Sequence, residues 1–139
     1  MGNLIKDIKI TKVAAGGVSA GTAVNSTSVD MAGFEGVIFV GTMATVNAAN
    51  FINAAQCEDD STFLDLLGSK VVPTVNANTY VLDVYKPTDR YVRLEMDRGG
   101  ANTAYGDIFA IQYGARVKPT TQPTTVDNEA HVSPAEGTA

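Results

Sequence analysis

In RYVRLEM, Val92, Leu94 and Met96 share one parity while Tyr91, Arg93, Glu95 and Asp97 share the other. This is the two-residue period of a strand with one wet face. A similar period, with less contrast, sets Leu4, Ile8 and Ile10 against Ile5, Asp7, Lys9 and Thr11. It predicts a first strand that ends in AAGGVSAG, where Gly16, Gly17 and Gly21 supply turn conformations. TAVNSTSVDM predicts a second strand. FEGVIFVGTM is apolar on both parities, which places it centrally in a sheet with a further layer over it. Phe51 to Cys57 predicts another strand, turned by EDDS into TFLDLLG, and Asn76, Ala77 and Asn78 turn the chain into TYVLDVY. After the DRGGAN turn, YGDIFAIQYG supplies the last strand, with Phe109 and Ile111 on the face opposite Ile108 and Ala110. No stretch holds an apolar i, i+3, i+4, i+7 stripe for three turns, and no internal repeat is visible. About eight short strands separated by Gly, Asn and Asp imply an all-β chain, an antiparallel β-sandwich or jelly roll.

The pattern stops at the end of the chain. Residues 117–139, VKPTTQPTTVDNEAHVSPAEGTA, contain Pro119, Pro123 and Pro134 and five threonines between positions 120 and 138. Their only sizeable apolar side chains are Val117, Val126 and Val132, too few to repay the entropy of folding on a core of their own. The expected organisation is a sandwich domain over 1–116 followed by a Thr/Pro-rich arm over 117–139. Fully extended, that arm reaches about 75 Å at ~3.3 Å per residue. Two readings stand at this point: a loose terminus, or an arm that orders on another subunit.

Composition narrows the function classes. The 139 residues are 45% hydrophobic, enough for one domain with a real core. Ten Lys+Arg against fifteen Asp+Glu give a net charge of −5, which repels phosphate backbones and argues against nucleic acid as a partner. MGNLIKDIKITKV lacks the continuous apolar run of a signal peptide, and no later segment approaches the ~18 apolar residues of a membrane span. The expectation is synthesis in a cytoplasm with no membrane partner.

No catalytic constellation emerges. Cys57 is the single cysteine, so no intrachain disulfide and no zinc spacing exist. His131 is the single histidine and lies in the arm, far from a nucleophile in sequence. Glu58, Asp59, Asp60 and Asp65 lack a calcium-loop pattern and read as a solvated turn. GGVSAGT lacks the lysine of a phosphate loop. The chain is expected to be no enzyme and to need no metal or cofactor. Arg90, Arg93 and Arg98 surround one strand; ion pairing on a solvated face is the expected use, with docking contacts the alternative, and Tyr91 and Arg93 share that face.

The stretches VDMAGFEGVIFVGTM, LDVYKPTDRYVRLEMDRG and AIQYGARVKPTTQPTTVDNEAHVSPAEGTA, together with the strand–acidic turn–strand unit AQCEDDSTFLDL, resemble a group of small virion proteins encoded beside capsid genes in tailed bacteriophages. Within that group the chain is similar to the jelly-roll cement or decoration proteins of short-tailed phage heads. The resemblance implies a homodimer or homotrimer on the head exterior that clamps neighbouring copies of the major capsid protein. It carries no active-site residues. It implies that the arm and exposed strand edges make the contacts; together with the wet-face patch of Tyr91 and Arg93, the candidate residues for binding capsid or self are Arg116, Lys118, Pro119, Val126, His131, Val132 and Pro134. A neck, tail or head-fibre component is the alternative within the particle. A carbohydrate-binding sandwich is the alternative outside it, although the chain has no Trp and ten aromatic residues in all.

Overall fold

The computed structural model describes residues 2–133 and 135–138. The chain is an antiparallel β-sandwich built from β1 (Lys9–Ala14), β2 (Gly17–Ala20), β3 (Val24–Asn25), β4 (Val29–Asp30), β5 (Gly36–Thr42), β6 (Phe51–Cys57), β7 (Leu64–Asp65), β8 (Thr79–Tyr85), β9 (Tyr91–Asp97), β10 (Thr103–Tyr105) and β11 (Ile108–Tyr113). One sheet has the order β1-β11-β5-β8; the other has β3-β9-β6-β7, with β4 also paired to β9. β2 and β10 form a separate two-stranded ribbon.

Alternation decides which side chains enter the space between the sheets. On β9, Val92, Leu94 and Met96 are buried, and register places Leu94 beside Ala54 and Met96 beside Ile52 of β6. Val37 and Phe39 of β5, Tyr80, Leu82 and Val84 of β8, and Ile108 and Ala110 of β11 come from the opposite layer. These residues belong to one contiguous core. Burying each of the larger side chains stabilises the fold by about 1.5–3 kcal/mol.

Several expectations shift. Leu4–Lys6 forms a single 3-10 turn, and the first strand starts only at Lys9. The glycine-rich stretch that reads as a turn contains strand β2, because Ala20 pairs with Thr103 and Gly17 with Tyr105. TAVNSTSVDM divides into the two short strands β3 and β4. β5 is central, between β11 and β8, but its two faces differ: Val37 and Phe39 are fully buried, whereas Ile38 and Val40 are half-buried. Two-sided burial belongs to β6, where Ile52, Asn53, Ala54, Ala55 and Cys57 are all buried. There the following segment folds over the sheet: Asn53 Nδ2 donates to Asp65 Oδ1, and the Leu66 N–H donates to the Ala54 carbonyl.

Arg98 departs from the expected ion pair on a wet face. Its side chain is buried, and its guanidinium donates to the carbonyls of Thr22 (2.7 Å), Val18 (3.0 Å) and Thr103 (2.8 Å) and to Thr22 Oγ1. Arg98 therefore fastens β9 to the β2–β3 connection and to β10.

Candidate functional site

Cross-strand register builds one apolar surface on the outside of the β1-β11-β5-β8 sheet. Lys12, Phe109, Val40 and Val81 form one row across the four strands. Ile10, Ile111, Ile38 and Asp83 form the next. Tyr113, Gly36 and Tyr85 form the third. Val81 is 55% exposed, Tyr85 58% and Phe109 37%, while Ile10, Ile38, Val40 and Ile111 are half-buried. Directly opposed residues point to the same side of a sheet, so this surface follows from pairing alone.

Gly36 gives the third row its shape. A Cβ there would collide with the Tyr113 ring, so the absence of a side chain lets that ring lie across the strand. The Tyr113 and Tyr85 rings are parallel to within 5°, with centroids 6.5 Å apart. Tyr113 Oη donates to Asp83 Oδ1 at 2.6 Å. Burial, followed by this bond to a carboxylate, pushes the Tyr113 phenol up to about 12, so it stays protonated at neutral pH.

A polar cleft of about 370 Å³ lies at one end of the sandwich, lined among others by Glu35, Glu58, Lys86, Asp89, Arg90 and Arg116. Arg90 is committed within it to Asp30: Nε donates to Oδ1 at 2.9 Å and Nη2 to Oδ2 at 2.8 Å, which holds the Asp30 carboxyl below its usual range. Among the described residues, no group of three or more His, Cys, Asp or Glu side chains is placed to hold a metal ion. In the acidic turn the Cys57 thiol donates to Asp59 Oδ1 and Ser61 adds further bonds, drawing Asp59 down to about 2. That carboxylate is spent on fixing the turn.

The residues expected to meet a partner are dispersed. Tyr91 is half-buried under the Arg90 guanidinium, 5.3 Å from the ring centroid. Arg93 Nε donates to Glu95 at 2.8 Å, and its guanidinium covers the Phe63 ring at 4.1 Å. Both are therefore engaged inside the chain, on the sheet opposite the apolar face. Arg116 is exposed at the polar cleft. Lys118 pairs with Asp7 at 3.2 Å, and Pro119 is exposed beside Thr120 and Thr121 in a shallow cleft. Val126 is half-buried and its N–H donates to the Pro123 carbonyl. His131 Nε2 lies 3.1 Å from Glu129, and its carbonyl accepts from Asn3 Nδ2. Val132 is 90% exposed. Pro134 lies outside the described residues.

The start of the arm is not loose. Thr120 donates its N–H to the Lys6 carbonyl at 2.9 Å, and Gln122 joins its side-chain amide to Ile5, Ile8 and Ile10. Neither residue stood out in the sequence, since a Thr and a Gln in a Thr/Pro-rich strip look solvated. The apolar face was hidden for another reason: strands pairing out of sequence order assemble it.

No protein-family model matches this chain, and no curated protein matches it in sequence. Among solved structures it is similar to the SPBc2 prophage-derived protein YomS at TM-score 0.50 and 11% identity, covering 76% of this chain and 92% of that one. It is also similar to a CBM4 structure at TM-score 0.41 and 13% identity, covering 80% of this chain and 70% of that one. At such identities the likeness to YomS speaks to the fold, a β-sandwich shared with a protein of unlike sequence.

Proposed function

We propose that this chain is a structural protein of a tailed-phage particle: a decoration or cement protein that sits on the outside of the head and clamps neighbouring major capsid subunits. The observation that carries the reading is the bare apolar face of the β1-β11-β5-β8 sheet, on which Val81, Tyr85 and Phe109 are exposed around Ile38, Val40 and Ile111. A contiguous apolar surface of this kind marks a contact site, and aromatic side chains supply its strongest anchors. The sequence resemblance to decoration proteins supports the same role, and the prophage origin of YomS agrees with it. An arm rooted beside β1 adds a second point of attachment, and linked contacts on a repeating lattice raise avidity without new chemistry. The work of such a protein is binding rather than catalysis.

The test is co-sedimentation of the purified chain with expanded heads of the parent phage, followed by immunogold microscopy with antibody against residues 1–116. Saturable binding in many copies over the whole head is expected. The double variant Val40→Asp, Phe109→Asp should weaken binding by about tenfold or more, the loss typical of a buried anchor. Label restricted to one vertex would move the protein to the neck or tail, and absence of binding would overturn the reading.

The parallel Tyr85–Tyr113 pair favours one second reading, a platform for the flat face of a sugar ring. Glycan-array binding that disappears with Tyr85→Ala and Tyr113→Ala would support it.

A further inference from the structure

The two edges of the β1-β11-β5-β8 sheet are treated differently. The β1 edge is capped at both ends: Gln122 accepts the Ile10 N–H and Thr120 bonds the Lys6 and Ile8 carbonyls just before the strand, while the Thr27 N–H donates to the Val13 carbonyl near its end. The β8 edge is open. Its seven residues pair in unbroken register with β5, from Gly36 beside Tyr85 to Thr42 beside Thr79, with no bulge and no proline. Among the described residues, no backbone hydrogen bond links Tyr80–Tyr85 to any segment other than β5. A cleft of about 370 Å³ runs alongside, lined in part by Leu66, Leu67, Val84 and Tyr85. An open, regular edge of this length is a template for another strand, and Asp83 is the one charged side chain on it.

The arm holds a strand pattern that is paired into no sheet among the described residues. Between Pro123 and Pro134 the chain is free of proline, and Val126, Asn128, Ala130 and Val132 alternate with Asp127, Glu129 and His131. That is a two-residue period over seven residues, the length of β8. None of residues 126–132 lies in a strand. The segment is also acidic: residues 124–138 include Asp127, Glu129 and Glu136 and no Lys or Arg. β8 runs directly into Lys86, for which no carboxylate partner is found among the described residues.

We propose that Val126–Val132 of one copy adds as a strand to the β8 edge of a second copy. Backbone bonds along Thr79–Tyr85 give the affinity, Val126 and Val132 meet the exposed apolar side chains Val81, Tyr85 and Leu67, and the acidic arm residues lie toward Lys86. The partner is a second copy rather than the same chain because Gln122 fixes the root at the opposite edge. The Val126 N–H to Pro123 turn and the Asn3 bond to the His131 carbonyl then hold the segment on the N-terminal side. Two copies can exchange arms reciprocally about a two-fold axis, closing the assembly. Both partners are copies of this chain, so the proposal does not depend on the particle reading and is tested without heads.

The experiment is sedimentation velocity of the full chain over a concentration series, beside the variant Asn128→Pro, Ala130→Pro, which removes two arm N–H donors without touching the sandwich. The weight-average mass of the natural chain should rise toward about twice the monomer value or beyond, and the proline variant should stay monomeric. In parallel, a chain carrying Val81→Cys is mixed under mild oxidation with one carrying Ala130→Cys, the position that faces Val81 when Val126 lies opposite Tyr85. A disulfide between the two different chains is the expected product. A monomer at every concentration would overturn the proposal. So would association that survives the two prolines but disappears with Tyr85→Ser, Phe109→Ser, since the apolar face would then be the interface. A disulfide that forms only within a chain carrying both cysteines would place the arm on its own β8 edge and overturn the exchange.

Discussion

Gln122 accepts the backbone N–H of Ile10 on its side-chain oxygen at 2.9 Å, although 112 residues separate them. Its amide nitrogen donates to the carbonyls of Ile5 (3.1 Å) and Ile8 (2.7 Å). One side chain thus covers the Ile10 N–H of the β1 edge together with two carbonyls of the turn that leads into it, and it ties the arm to the sandwich. Gln122→Ala should lower stability by about 2 kcal/mol, from three partly buried bonds each contributing roughly 0.5–1.5 kcal/mol. Urea unfolding would measure the loss. Trypsin cleavage after the exposed Arg116 should accelerate at the same time, because a segment no longer tethered at Gln122 opens locally into the extended form a protease needs.

Tyr80 shows the opposite situation. The residue is 3% exposed, and its hydroxyl is buried against Gly41 with no hydrogen-bond partner among the described residues. Desolvation raises its pKa and makes the polar atom a liability. Tyr80→Phe removes that atom without changing the ring and should raise stability by about 1 kcal/mol. Gly41→Ala should cost about 1–3 kcal/mol, because the new Cβ would overlap the Tyr80 ring. Thermal midpoints of the two variants should move in opposite directions.

Arg98 carries a buried charge whose partners are mainly backbone carbonyls. Arg98→Met fills a similar volume but leaves the carbonyls of Thr22, Val18 and Thr103 without this donor, at about 1–3 kcal/mol for each one that water cannot reach. A loss of several kcal/mol is expected, the largest of any single change considered. Arg98→Lys should recover only part of it, since an ammonium cannot reproduce the planar fork. Chemical denaturation of the three proteins side by side would rank them.

What the sequence revealed depended on whether the cause was local. β8, β9 and β11 were readable because alternation such as Val92-Leu94-Met96 is written in consecutive residues, and β6 because its run from Phe51 to Cys57 is bounded by turn-forming residues. β2 was not, because Gly17 belongs to a strand only through Tyr105, whose ring lies where a Cβ at Gly17 would be. β5 was placed correctly in the middle, yet its apolar outer parity suggested a covering layer. Ile38 and Val40 lie instead beneath no second sheet, and the layer that double-sided burial demands covers β6. The candidate face combines residues from β1, β5, β8 and β11, which neighbour one another only after the strand order is known. Arg93 and Tyr91 were visible as a polar parity, but no local pattern showed that Glu95, Phe63 and Arg90 already occupy them.

Acid and alkali should each remove stability through identifiable groups. Asp30 is held down first by the Arg90 hydrogen bonds, Asp107 first by the Gly16 N–H and then by Lys12, and Asp59 reaches about 2 through Cys57 and Ser61. A carboxyl whose folded pKa lies below its unfolded value near ~3.9 stabilises the fold above that value, and the contribution disappears as pH falls through the folded pKa. Stability should therefore decline from about pH 4 toward about pH 2. The phenols behave in the mirror sense. Tyr113 is raised to about 12 and Tyr80 is raised by burial, so both favour the fold below the unfolded value of ~10 and lose that contribution as pH climbs past it. Urea midpoints measured against pH should form a plateau between about pH 5 and pH 9 with a falling limb on each side. Asp30→Asn and Asp107→Asn together should flatten the acid limb, and Tyr113→Phe should flatten the alkaline one. An acid limb unchanged by the two asparagines would mean that these hydrogen-bonded carboxylates are not what acid titrates in the folded chain.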